Sequence, residues 1–123
     1  MNKIGEFRGE YFWLSNYFGS PIEIDGILYP TVEHAYMAFK THDVDLKVRM
    51  SRIPYANKVA DLGRSIPLRE DWDSVKVSCM ERCLIEKFNI PVLKKYLLNT
   101  GDSYLEEGNS WGDVFWGVCM VLS

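Results

Sequence analysis

The chain has 123 residues, 47% of them hydrophobic and 14% aromatic, enough apolar surface for one packed core and too little length for two. Its 14 Lys and Arg against 17 Asp and Glu give a net charge of −3. That balance argues against non-specific nucleic-acid binding, which runs on clustered cations displacing counterions. It leaves room for a local basic pocket that holds one or two phosphates. No apolar run approaches the roughly 20 residues of a membrane span, and no secretion signal precedes the fold, so a soluble cytoplasmic protein is expected. The odd set Cys79, Cys83 and Cys119 reads as reduced thiols, since Cys79 and Cys83 lie on one helical face. With both histidines far from the cysteines, metal-ligand spacing is absent.

In chain order, the aromatic-rich stretch 7–17 reads as a strand followed by a loop. Residues 21–29 place apolar side chains on both sides of Asp25-Gly26, a dipeptide that tolerates positive φ at both turn positions, and predict a hairpin. Thr31 is suited to cap a helix in which Val32, Ala35, Tyr36 and Phe39 keep helical spacing. A short helix over 44–50 follows. A third begins after Pro54 and closes at Gly63, placed there as a left-handed end residue. The longest helix is expected over 71–88, with a buried stripe of Trp72, Val75, Cys79, Met80, Cys83, Leu84 and Phe88. Pro91 opens a last helix ending near residue 99, and 114–122 is apolar and β-branched enough for a final strand. The expectation is an α+β fold: a single helix-rich domain spanning 1–123 with a small β-sheet or hairpin.

Three places hold residues suited to chemistry. Glu33 falls in the first turn of the helix capped by Thr31, where free N–H groups and the helix dipole favour a carboxylate. Lys40 stands seven residues on along the same face, so the pair can bracket a sugar and its phosphate; the competing reading is a plain first-turn acid on a solvated face. Arg64 and Arg69 flank a loop before the long helix, and Trp72 enters that helix with Lys76 one turn further. Arginine forks suit phosphate, and a tryptophan beside a cation can stack a flat ring, although taken alone these residues favour a core tryptophan with solvated arginines. The third place is Glu107-Gly108-Asn109-Ser110-Trp111-Gly112-Asp113, where two glycines, two acids, an asparagine and a tryptophan crowd a loop in the manner of a site. A tight turn closed by glycines remains open there too.

Cleavage of an N-glycosidic bond would use such parts. Its transition state carries oxocarbenium character, so a fixed carboxylate can stabilise it or activate water, while a second acid helps the nitrogen depart. Lys40 or Lys76 could instead attack a ring-opened sugar and form an imine. No cofactor or metal is required by either route.

Taken together, Phe7-Arg8-Gly9-Glu10-Tyr11-Phe12-Trp13-Leu14-Ser15-Asn16-Tyr17, Tyr29-Pro30-Thr31-Val32-Glu33-His34-Ala35-Tyr36, Leu62-Gly63-Arg64, Leu68-Arg69-Glu70-Asp71-Trp72 and the block 107–118 resemble the NADAR (YbiA-like) family, in order and over nearly the whole chain. The resemblance implies a YbiA-like fold and N-glycosidase activity. Its substrates would be ribosylamino-pyrimidine phosphates of early riboflavin synthesis or ADP-ribosylated guanine in nucleic acid. It further implies functional roles for Glu33, Trp72, Trp111 and Asp113, with Ser15, Asn16 and Arg64 in matching motifs. Met37 stands where many relatives carry Gln, Asp73 where Glu is usual, and Trp13 and Tyr17 where Phe is usual. On this reading Glu33, Asp113 and Lys40 are catalytic, and Ser15, Asn16, Arg64, Trp72, Lys76, Asn109 and Trp111 bind substrate. The alternative is a module that binds ADP-ribose or NAD without turnover. Such a module would have no need of Glu33.

Overall fold

The computed structural model describes residues 3–4, 9–100 and 104–105. The polypeptide enters through β1 (Lys3–Ile4) and a 3-10 helix (Gly9–Leu14), then forms β2 (Ile22–Ile24), β3 (Ile27–Tyr29), α1 (Val32–Phe39), α2 (Val44–Ser51), α3 (Ala56–Ser65), α4 (Trp72–Phe88), α5 (Pro91–Asn99) and β4 (Tyr104–Leu105). β1 and β4 pair in parallel, and β2 and β3 form an antiparallel hairpin with Ile24 opposite Ile27. The expected α+β, helix-rich architecture with a hairpin is the one observed. The strand expected over 114–122 lies outside the described residues.

The hairpin turns where the sequence placed it. Asp25 and Gly26 have φ of 52° and 85°, as a primed two-residue turn demands. Ile22, Ile24 and Tyr29 face inward while Glu23 and Leu28 face out. Arg82 of α4 grips the Asp25 carboxylate through two nitrogens, at 2.8 and 3.3 Å, tying the turn to the long helix.

At the centre is α1, packed against α2, α3, α4 and both hairpin strands. Its start is fixed by Thr31, whose hydroxyl accepts the His34 backbone N–H at 3.2 Å. The hydroxyl also meets His34 Nδ1 at 2.8 Å, while Nε2 lies 2.7 Å from the Ile53 carbonyl. A carbonyl can only accept, so Nε2 carries the proton and Nδ1 accepts from Thr31. Burial lowers the His34 pKa, which agrees with a neutral ring. His34 is thus a fully buried strut between α1 and the segment leaving α2.

Two sequence expectations are corrected. The stretch 7–17 is not a strand: its described part coils as the 3-10 helix Gly9–Leu14, anchored by the buried Leu14, with Tyr11 and Trp13 against the core. Nor does Gly63 close α3 in a left-handed conformation, because the helix continues to Ser65. The reason for glycine there is proximity. A Cβ at 63 would overlap Met37 Sδ and stand 2.9 Å from Met37 Cγ, so only glycine lets α3 and α1 approach this closely.

In α4 the buried face carries Trp72, Cys79, Met80, Cys83, Leu84 and Phe88 as expected; Val75 is partly buried, and Lys87 joins the core. Cys79 and Cys83 are free thiols. Burial raises the pKa of both, to about 12 for Cys83, so they are packing residues rather than nucleophiles. No helix among the described residues is long and apolar enough to cross a membrane.

Candidate active site

The candidate site lies along the face of α1 that carries Glu33, Tyr36, Met37 and Lys40, residues spaced to stand over one another. Glu33 sits in the first turn, beside the positive end of the helix. Its backbone N–H donates to the Asn16 carbonyl at 3.1 Å, so the turn leaving the 3-10 helix docks onto the start of α1. That turn is held internally by Ser15, whose hydroxyl accepts the Tyr17 N–H at 3.1 Å. Asn16 Oδ1 is buried with no hydrogen-bond partner among the described residues.

At the other end of the face, Lys40 Nζ donates to the Gly63 carbonyl at 3.5 Å. This contact exists because Gly63 brings α3 against Met37. Burial pulls the Lys40 ammonium below the usual lysine range, opposed by Glu33 and aided by Arg64. The Tyr17 phenol is shifted upward by burial and then by the Glu33 charge, with Arg64 opposing. Glu33 and Arg64 thus act on both Lys40 and Tyr17, although the four residues come from three separate segments. Arg64 is two-thirds exposed and ion-pairs with Asp61 one turn earlier in α3.

Trp72 lies behind this face. It is 7% exposed and leans on Tyr36, with ring centroids 5.2 Å apart at 51°. The Tyr36 ring is as deeply buried, at 6% exposed. The loop before it is pinned to the end of α1: Arg69 N–H donates to the Lys40 carbonyl at 2.8 Å and its guanidinium to the Phe39 carbonyl at 3.4 Å. Arg69 also binds Asp71 at 2.9 Å, so its fork is already engaged. Lys76 pairs with Asp73 at 3.5 Å. Asp113, Trp111, Asn109 and Glu107 lie outside the described residues. Tyr36, Tyr17 and the Gly63 carbonyl were not read as site groups from the sequence. For Tyr36 the signal was available, because it lies three residues after Glu33 and four before Lys40.

A carboxylate at a helix start, with cations two turns along and aromatic rings beside them, can hold a sugar between a stabilising anion and a phosphate-binding end. Among the described residues no group of three or more His, Cys, Asp or Glu side chains is placed to hold a metal ion.

The model of the NADAR domain matches residues 5–121. The chain belongs to the NADAR family. N-glycosidase YbiA of Escherichia coli K12 is 35% identical over 111 residues, covering 88% of this chain and 69% of that protein. Riboflavin biosynthesis protein VVA0006 of Vibrio vulnificus is 37% identical over 109 residues, 85% of this chain and 29% of the longer protein. The NMR structure of E. coli YbiA superposes with a TM-score of 0.79 at 33% identity, over 94% of this chain and 70% of that one. The YbiA-like fold and the N-glycosidase class expected from the sequence agree with these relatives.

Proposed function

We propose that this NADAR domain hydrolyses the N-glycosidic bond of a ribosylated, phosphate-bearing small molecule, with ribosylamino-pyrimidine phosphates of riboflavin synthesis as the substrate class. The observation that carries this reading is the shared face of Glu33 and Lys40 on α1, within the electrostatic reach of Tyr17 and Arg64. Relatives named as an N-glycosidase and as a riboflavin biosynthesis protein support it. The net charge of −3 favours a small substrate over long nucleic acid. Reduced Cys79 and Cys83 suit a cytoplasmic setting.

In this mechanism Glu33 stabilises positive charge growing at the anomeric carbon and directs water to it. Asp113 assists proton transfer to the departing nitrogen. Arg64 and Lys40 meet phosphate, while Trp72, Trp111 and Asn109 hold the base or sugar. Ser15 and Asn16 border the sugar.

A second route gains support from the depressed pKa of Lys40, which leaves more free amine at neutral pH than an exposed lysine has. The Lys40 amine attacks C1 of the ring-opened glycosylamine, the pyrimidine amine leaves with a proton, and water then hydrolyses the lysine imine to free sugar and restored amine.

The test is to incubate the protein separately with the ribosylamino-pyrimidine phosphate and with ADP-ribosylated DNA, then measure released sugar by mass spectrometry. Release of ribose phosphate from the first is expected. Release of ADP-ribose from the second alone would move the substrate to nucleic acid, and tight ADP-ribose binding with no release from either would establish a binding module.

A further inference from the structure

Among the described residues Lys87 is the one charged side chain with no solvent exposure. It lies in the last turn of α4, 5.2 Å from the centre of the Phe88 ring and 5.7 Å from that of Phe18. No carboxylate faces it among the described residues, and its single hydrogen bond goes to the Ser15 carbonyl at 2.8 Å. That carbonyl already accepts the Phe18 N–H at 3.1 Å, so it would be satisfied without the lysine. An apolar side chain of the same length would fill the space without burying an amine. The cation is therefore a poor choice for packing and calls for another reason.

The reason lies one residue along. The Asn16 carbonyl accepts the Glu33 N–H at 3.1 Å, so successive carbonyls of one turn are held by two different elements, the end of α4 and the first turn of α1. Tyr17, the next residue, stands in the field of Glu33 and Arg64. We propose that Lys87 is a positioning residue: by holding the Ser15 carbonyl it fixes the turn that sets Asn16 and Tyr17 against Glu33. Lys87 never meets substrate on this account. Its effect on turnover rests on the N-glycosidase reading, whereas its effect on the turn rests on the geometry alone.

Lys87→Met, which keeps the length and removes the amine, separates the two. Backbone amide exchange followed by NMR should quicken at least about tenfold at Phe18 and Glu33 relative to amides in the middle of α4. With the ribosylamino-pyrimidine phosphate, kcat should fall by about tenfold or more while KM stays within a few fold, because the reacting groups are misaligned rather than absent. Lys87→Gln, which retains an N–H donor, should recover part of both, and it serves as the test variant if Lys87→Met fails to fold. In folded protein, unchanged exchange at Phe18 and Glu33, or unchanged kcat, overturns the proposal. If the unmutated protein turns over no ribosylated substrate, the N-glycosidase reading fails and the exchange measurement still decides what Lys87 does.

Discussion

Burying Lys87 has a measurable cost that depends on pH. Desolvation alone brings its pKa down to about 7 from 10.5. Between those values the unfolded chain binds a proton that the folded chain does not, so stability rises with pH across that window and is lowest below pH 7. At 1.36 kcal/mol per pKa unit, the rise between pH 7 and pH 10 is about 4 kcal/mol. Lys87→Met abolishes this dependence. The variant also gives up one hydrogen bond, worth about 1 kcal/mol net, and leaves no orphan because Phe18 N–H still bonds Ser15. Relief of desolvation outweighs that loss at low pH, so the variant should be more stable than the parent at pH 6 by roughly 2 to 4 kcal/mol. Near pH 10 the two should converge. Urea unfolding at pH 6, 7, 8, 9 and 10 checks this; parallel pH profiles, or a variant that is less stable at pH 6, would refute the placement of an uncompensated amine in the core.

Gly63→Ala should destabilise the fold by about 1 to 3 kcal/mol in thermal or urea unfolding, because the added methyl forces Met37 to move. It should lower activity as well, since Gly63 supplies the carbonyl that holds Lys40. Borohydride added during turnover should trap a sugar adduct on Lys40 if the imine route operates, seen as a mass increase on the peptide carrying that residue; an unlabelled Lys40 under turnover leaves direct hydrolysis. Arg82→Met should cost less than about 1 kcal/mol, because its pairing with Asp25 is half exposed on the arginine side and two-thirds exposed on the aspartate side.

Most of the fold was legible because the hairpin and five helices each carry a local signal. Asp25-Gly26, Thr31, Pro91 and the helical stripes mark their own ends and faces. The misses came from long-range packing. Nothing local distinguishes a helix-closing glycine from one that admits a neighbouring helix, and Gly63 is the second kind. The aromatic stretch before the hairpin is rich in side chains that favour strands, but Leu14, Trp13 and Tyr11 reach the core from a 3-10 helix. Lys87 continues the face set by Cys79, Met80, Cys83 and Leu84, so its spacing announced burial while its charge argued against it. Of the site, Glu33 and Lys40 were readable from their seven-residue separation on one helix. The convergence of Tyr17 and Arg64 on them depends on two chain crossings that no spacing encodes. Lys76 and Trp72 share a helix face; Trp72 meets α1 through Tyr36, while Lys76 pairs with Asp73 on its own helix.

Glu33 is the centre of the account, and one substitution tests it. Calorimetry and steady-state kinetics on Glu33→Gln, with the ribosylamino-pyrimidine phosphate, separate holding the substrate from acting on it. The account predicts affinity within a few fold of the parent and a loss of kcat on the order of a hundredfold or more. Turnover at the parental rate would contradict it.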